Sequence, residues 1–290
     1  MEVLLSGLNS YLGNRAMGNL SREDFNVHGI ARDLDLFKSK VFESITATLD
    51  KVDLLRKGKE FDGFSIDSGI GLSIYITHVP TLGELVNLNL ELITLKNFIE
   101  LTKRNGGKRI VYIARLMDKP FIKDIEALLK SSNITYTIVL KNLAIGKGSV
   151  LDKYMHRLIN GKYLPYDKLF ANVRFNPISS LDLLRWIYNV DWDKHFINET
   201  IEIGGPSTIT VQEMFRLYKK MLYPNADVKS ILLPHFIMSL VFRKAYHIHK
   251  EDIIDFKRLM EKEYPIDNTS WKNDMLFSFT PLDQVIKLDQ

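Results

Sequence analysis

The stretch "GLNSYLG" at residues 7–13 follows the mostly apolar opening "MEVLLS", and its reading decides the fold. A glycine-bearing turn that leaves a buried strand and opens a helix is the context a dinucleotide-binding fingerprint requires. In that reading Gly7 permits the tight turn and Gly13 lets the helix pack against the sheet. Asn9, Ser10, Tyr11 and Leu12 lie between them. There a helix N-terminus offers its unpaired N–H groups and positive dipole end to a pyrophosphate. Ser10 stands where a glycine would bring backbone closest to phosphate. Its hydroxyl can donate to a phosphate oxygen, while its Cβ, with Leu8, takes up space.

The next strand-like run, "FNVHGIAR" (25–32), ends on Arg32, where the ribose 2′ position would lie. An acid there accepts from the two ribose hydroxyls of NAD. An arginine pairs with a 2′-phosphate through two charge-assisted bonds, so the expected cofactor is NADP(H) in preference to NAD(H). Asp33, next in sequence, would offset part of that charge.

The pattern around the turn repeats along the first half. "SITATL" (44–49) reads as a weaker third strand and "DKVDLLRKG" after it as a helix stopped by Gly58. "LSIYITHV" (72–79) is the fourth strand, followed by a long helix that ends at Gly106 and Gly107. "KRIVYIAR" (108–115), the helix "FIKDIEALLKSS" and "ITYTIVL" (134–140) complete the series. Strands alternating with helices indicate parallel βαβ units, and continuous apolar strands indicate a sheet covered on both faces. The expected fold is α/β, a doubly wound parallel sheet. Later, "ETIEIGGPSTITVQEM" reads as a strand, a turn, and a helix start at Thr208 or Thr210 with Glu213 behind it.

Composition fits this picture. The 290 residues are 46% apolar, enough to bury a sizeable core. No cysteine is present, which excludes disulfides, thiolate metal sites and thiol nucleophiles and agrees with a reducing, cytoplasmic setting. The net charge of +4 comes without a basic block, so no nucleic-acid partner is expected. Residues 1–20 lack a signal-peptide pattern. "ILLPHFIMSLVF" (231–242) is shorter than the roughly 20 residues a bilayer span needs. In "HIHKED" (247–252), His247 and His249 face apart on a helix, so no metal site is read.

Taken in order, "VLLSGLNSYLG", "VHGIARD", "IYITH", "RIVYIARL", "ITYTIVLKNLAIGKGS" and "IEIGGPSTITVQEM" resemble the atypical short-chain dehydrogenase/reductases. The resemblance is to their NmrA-like, NAD(P)H-binding branch, often labelled nucleoside-diphosphate-sugar epimerases, and runs to about residue 220. It implies a Rossmann domain over 1–150, to which 174–190 returns. A smaller, mostly helical substrate lobe would occupy 151–290, with Asp182 holding the junction. Trp186, Trp192 and Trp271 are expected to pack that lobe.

The resemblance also shows what is missing. Active members carry a serine after the fifth strand and a Tyr-x-x-x-Lys on the next helix. The serine position falls here on Ala114 or Arg115, and the tyrosine and lysine positions on Asp118 and Ile122. Lys123 is one residue out of phase, about 100° round a helix. Other groups remain as candidates. His78 ends the fourth strand, where it would line the nicotinamide site or donate a proton, Arg115 would hold an anionic substrate, and Lys141 ends the sixth strand.

The expected function is an NADPH-dependent reductase of a small carbonyl, enone or quinone-like substrate, working without the usual triad. Two alternatives are a non-catalytic NAD(P)H-binding redox sensor or assembly protein and a sugar-nucleotide epimerase. A fourth, a scaffold whose turn is closed by Leu8 and Ser10, binds no nucleotide. The expected partner is a small-molecule substrate, and a homodimer is left open.

Overall fold

The computed structural model describes residues 1–21, 25–40, 47–166, 172–192, 196–233, 237, 263, 266, 268 and 276–288. They fall into two units, Met1–Lys141 with Leu183–Glu202, and Asn142–Asp182 with Ile203–Gln290. In chain order the first elements are β1 (Glu2–Ser6), α1 (Tyr11–Leu20), β2 (Asn26–Ala31), α2 (Leu34–Lys40), β3 (Thr48–Lys51) and α3 (Lys59–Gly63). Next come β4 (Leu72–Ile76), α4 (Leu85–Arg104), β5 (Arg109–Arg115), α5 (Ile122–Ser131) and β6 (Thr135–Lys141). After these, β7 (Ala144–Ile145), α6 (Val150–Asn160), β8 (Tyr163–Tyr166), β9 (Arg174–Phe175) and β10 (Ile178–Ser179) lead to α7 (Ser180–Trp192). The last are β11 (Glu199–Ile203), β12 (Ile209–Thr210), α8 (Val211–Leu222), β13 (Lys229–Leu232) and α9 (Leu282–Leu288).

The first unit is a seven-stranded parallel sheet in the order β11-β6-β5-β4-β1-β2-β3, with helices between its strands. Val3 in β1 stands opposite Val27 on one side and Leu72 on the other, so β1 lies inside the sheet. β4 is buried along its whole length and β5 up to its last residue, as expected of strands with helices on both faces. The chain builds outward from β1 to β3, then crosses back and builds the other way from β4. That reversal leaves a crevice at the carboxyl ends of β1 and β4, where doubly wound sheets bind ligands.

Two expectations need correction here. Residues 50–58 do not form a helix. β3 runs on to Lys51, and Asp53 then organises a turn by accepting from the N–H groups of Leu55 (2.8 Å) and Arg56 (3.3 Å). Buried Val52 and Leu54 anchor that turn, and Lys57 sits at φ 47°, which no helix tolerates. A local side-chain bond has outcompeted the helix. The third strand is correspondingly late, and residues 44–46 lie outside the described residues. Second, Trp186 belongs to the first unit, where it is fully buried with its ring 5.9 Å from Phe196. The side chains of Trp192 and Trp271 lie outside the described residues.

In the second unit, α8 opens on a capping box: Thr210 accepts from Glu213 N–H (3.1 Å), and Glu213 accepts from Thr210 N–H (2.7 Å). Asp182, buried at the start of α7, accepts from Thr280 N–H and Oγ1 at 2.7 and 2.9 Å. The "HIHKED" segment and most of "ILLPHFIMSLVF" lie outside the described residues. No described helix is long and apolar enough to cross a membrane.

Candidate functional site

Both glycines of the turn are dictated by space. Gly7 has φ +80°, and a Cβ there would lie 2.7 Å from the Ile76 carbonyl oxygen at the end of β4. A Cβ on Gly13 would lie 2.2 Å from the Gly7 carbonyl oxygen. β1 therefore turns hard against β4, and α1 starts hard against the turn. Leu8 does not crowd this face. Its side chain is buried with Met17 against Gly29 of β2.

Ser10 is the N-cap of α1, and its hydroxyl is engaged twice. It donates to the Gly7 carbonyl at 2.7 Å and accepts from Gly13 N–H at 3.0 Å. The expectation of a hydroxyl donating to phosphate thus meets a hydroxyl that closes the turn internally, in the manner of other serine caps. Other polar atoms are left over. Asn9 Oδ1 and Asn14 Nδ2 are shielded from water and have no hydrogen-bond partner among the described residues. Buried amide groups of this kind are normally satisfied. Their presence in the turn and first helix fits a polar ligand such as a pyrophosphate with its sugars, and the glycine cradle fits its close approach.

Arg32 follows β2 and is exposed. Asp33 does not pair with it but caps α2, accepting from Leu36 N–H at 2.9 Å. No ion pair of Arg32 is formed among the described residues, and its charge reaches His78. His78 keeps solvent-accessible surface, while its ring stacks on Tyr75 at 4.9 Å. Crowding by protein and, second, the Arg32 guanidinium lower its pKa from 6.5, so the imidazole is neutral at pH 7.

Arg115 and Lys141 face each other in register at the ends of β5 and β6, on the same sheet edge. Arg115 is engaged: its Nε and Nη2 each donate to Asp118 Oδ2 at 2.8 Å, and Nη2 also reaches the Val79 carbonyl at 3.3 Å. Asp118 is buried and also accepts from Leu82 N–H at 3.0 Å. The residue at the expected tyrosine position thus holds a loop. Lys123 is exposed in the first turn of α5, apart from this group.

One residue of the site escaped the sequence reading. Glu91 on α4 is fully buried. It accepts from Tyr112 Oη at 3.0 Å and from the backbone N–H of His78 at 3.1 Å. Tyr75 and Tyr112 stack at 5.5 Å beside it, and Tyr75 pairs with Thr94 at 2.7 Å. Burial pushes the Glu91 pKa up to about 7, against the opposing pull of these hydrogen bonds and of Arg115. Burial and Glu91 together raise both tyrosines, which stay protonated and keep donating. A signal was available in the sequence: Glu91 shares the helical stripe of the buried Leu95, Phe98 and Leu101, where an acid is out of place.

A cavity of about 860 Å³ lies elsewhere, at the amino-terminal edge of the sheet, lined by Glu2, Asn26, His28 and Asp67 among others. Glu2 pairs with His28 at 2.7 Å there. This is the sheet edge opposite the Gly7–Gly13 turn.

No protein-family model matches the chain. It is 24% identical over 269 residues to the chloroplastic divinyl chlorophyllide a 8-vinyl-reductase of Arabidopsis thaliana; the match covers 83% of the chain and 62% of that relative. The chain therefore spans under two thirds of that protein's length. Among solved structures it superposes on a UDP-glucose 4-epimerase of Thermotoga maritima with TM-score 0.72 and 13% identity, covering 100% of this chain and 97% of that one. With the Citrobacter sp. triphenylmethane reductase complexed with NADP(H), the TM-score is 0.68 at 14% identity, with both chains fully covered. A structure of MoeE5 with UDP-glucose and NAD gives 0.70 at 13% identity, covering 100% of this chain and 97% of that one. The chain shares the fold of these epimerase and reductase structures.

Proposed function

We propose that the chain binds NADPH across the β1–β4 crevice and reduces a small carbonyl, enone or quinone-like substrate. The observation that carries this reading is the turn: a glycine cradle with no room for a Cβ, two orphaned asparagine amide groups, and Arg32 with no ion-pair partner among the described residues. Gly7, Asn9, Tyr11, Leu12 and Gly13 would hold the pyrophosphate, Ser10 would shape the turn, and Arg32 would take the 2′-phosphate. When bound, the cofactor supplies the hydride, and the protein supplies position and electrostatics. His78, a neutral imidazole just past the end of β4, would line that crevice and could donate one hydrogen bond without bringing a charge. Lys141 offers a cation at the same edge. A reductase among the relatives and a reductase structure complexed with NADP(H) are in keeping with this reading, and Arg32 speaks against the tightly held NAD of an epimerase.

A second reading, a non-catalytic NAD(P)H-binding sensor or assembly protein, is favoured by Asp118. The residue where the family's tyrosine stands is buried and engaged with Arg115.

The test is a fluorescence titration with NADPH and NADH on the wild type and on Arg32→Ala. NADPH is expected to bind well above NADH. The substitution should remove about 1.5–3 kcal/mol of NADPH affinity, roughly 10- to 100-fold, and leave NADH nearly unchanged. An unchanged preference would remove Arg32 from the role. Turnover of carbonyl and quinone substrates separates the reductase from the sensor.

A further inference from the structure

Glu91 is buried on α4, yet its carboxylate reaches the backbone of the segment that leaves β4. That segment is one wall of the crevice, since Gly7 presses on Ile76 at the end of β4 and His78 follows two residues later. We propose that Glu91 is the positioning residue of this wall, a proton-linked clasp that sets cofactor affinity by holding the His78 N–H. The inference rests on the NADPH reading given above.

The clasp has two states. As a carboxylate, Glu91 has two acceptor oxygens facing two donors, Oε1 taking Tyr112 Oη and Oε2 taking the His78 N–H. Protonation turns one of those oxygens into a donor, so one of the two bonds must weaken. The groups facing Glu91 do not compete for the proton. Tyr75 on β4 and Tyr112 on β5 have raised pKa values and remain neutral. The His78 imidazole is lowered and is likewise neutral, and Thr94 on α4 is engaged with Tyr75. The Arg115 guanidinium at the end of β5 favours the carboxylate. The switch therefore falls to Glu91, whose midpoint of about 7 puts both states within an ordinary pH range.

Glu91→Gln keeps the shape, removes the titration, and replaces one acceptor oxygen with an NH2. The experiment measures NADPH and NADH dissociation constants from pH 5.5 to 8.5 for wild type and Glu91→Gln, NADH lacking the titrating 2′-phosphate. In the wild type both cofactors should bind several-fold more tightly as pH rises through about 7, with the amide signal of His78 moving at the same midpoint. In Glu91→Gln, NADH binding should be flat with pH and about tenfold weaker at pH 8, the loss expected for one charge-assisted bond. Parallel profiles in the two proteins would overturn the clasp while leaving the cofactor reading intact. Absence of cofactor binding by the wild type at every pH would overturn both. If Glu91→Gln does not fold, the wild-type amide signal decides. Movement of His78 near pH 7 supports the clasp, and a signal that ignores pH there refutes it.

Discussion

At the residue scale the turn is governed by what each position cannot hold. Gly13 has no room for a Cβ, because the Gly7 carbonyl oxygen would be 2.2 Å away. Gly13→Ala must push α1 off the turn, and overpacking of this kind costs about 1–3 kcal/mol. NADPH affinity should fall by more than tenfold in the same variant. Gly63→Ala is the control: it lies at the end of α3 with open space where its Cβ would go, so it should be neutral or stabilising by up to about 1 kcal/mol. Urea unfolding and fluorescence titration of both variants check this pair. Equal behaviour of the two would refute the steric account. Ser10 illustrates a subtler point. Its presence in the motif was plain, but which partner its hydroxyl takes depends on the backbone around it, and Gly7 and Gly13 take both ends.

At the element scale the loop after β4 is held from two sides. Glu91 on α4 takes the His78 N–H, and Asp118 after β5 takes Leu82 N–H, while Arg115 reaches the Val79 carbonyl. Thr77 at its start donates to the Ile113 carbonyl at 2.8 Å. A loop pinned this way presents His78 in one place. Asp118→Ala would take the carboxylate away from the half-buried Arg115 guanidinium, and a cost of about 3 kcal/mol is expected, with the 79–82 amides losing protection first. Hydrogen exchange reads this directly, and unchanged protection of those amides would refute the pinning. Elements set by strong periodicity, such as α4 and β5, were legible to within a few residues. The 50–58 segment was not, because Asp53 bonding to its own neighbours decides against a helix that the apolar spacing favours.

At the scale of the whole molecule, Glu91 links folding to pH. Its carboxyl is raised from 4.5 to about 7 in the folded protein, so the native state binds that proton more tightly than the unfolded chain does. The resulting stabilisation is complete below pH 4.5, declines between 4.5 and 7, and is absent above 7. Glu91→Gln does not titrate. The wild type should therefore lose on the order of 3 kcal/mol relative to the variant between pH 4.5 and 8. Denaturant unfolding of both proteins at the two pH values measures the difference, and a constant gap would refute the linkage. The carboxylate that grips the β4 loop is thus one that the fold tolerates at a cost, as functional sites often are.

The sequence by itself determined the doubly wound sheet, the turn at its first strand, and Arg32 after its second. Period-two and period-3.6 apolar patterns and glycine spacing are local, so they can be read without coordinates. It also showed that the tyrosine and lysine carried by the dehydrogenases it resembles are absent. Only the tertiary structure decided what the polar residues do. Arg115 is claimed by Asp118, Asp33 by α2, Ser10 by the turn, and Trp186 by the first unit, each through a partner or a place that the chain order alone does not identify. Glu91 and His78 are 13 residues apart and meet because α4 folds back over β4. The charge state of that acid follows from its burial, a property of the packed molecule and not of the residue type.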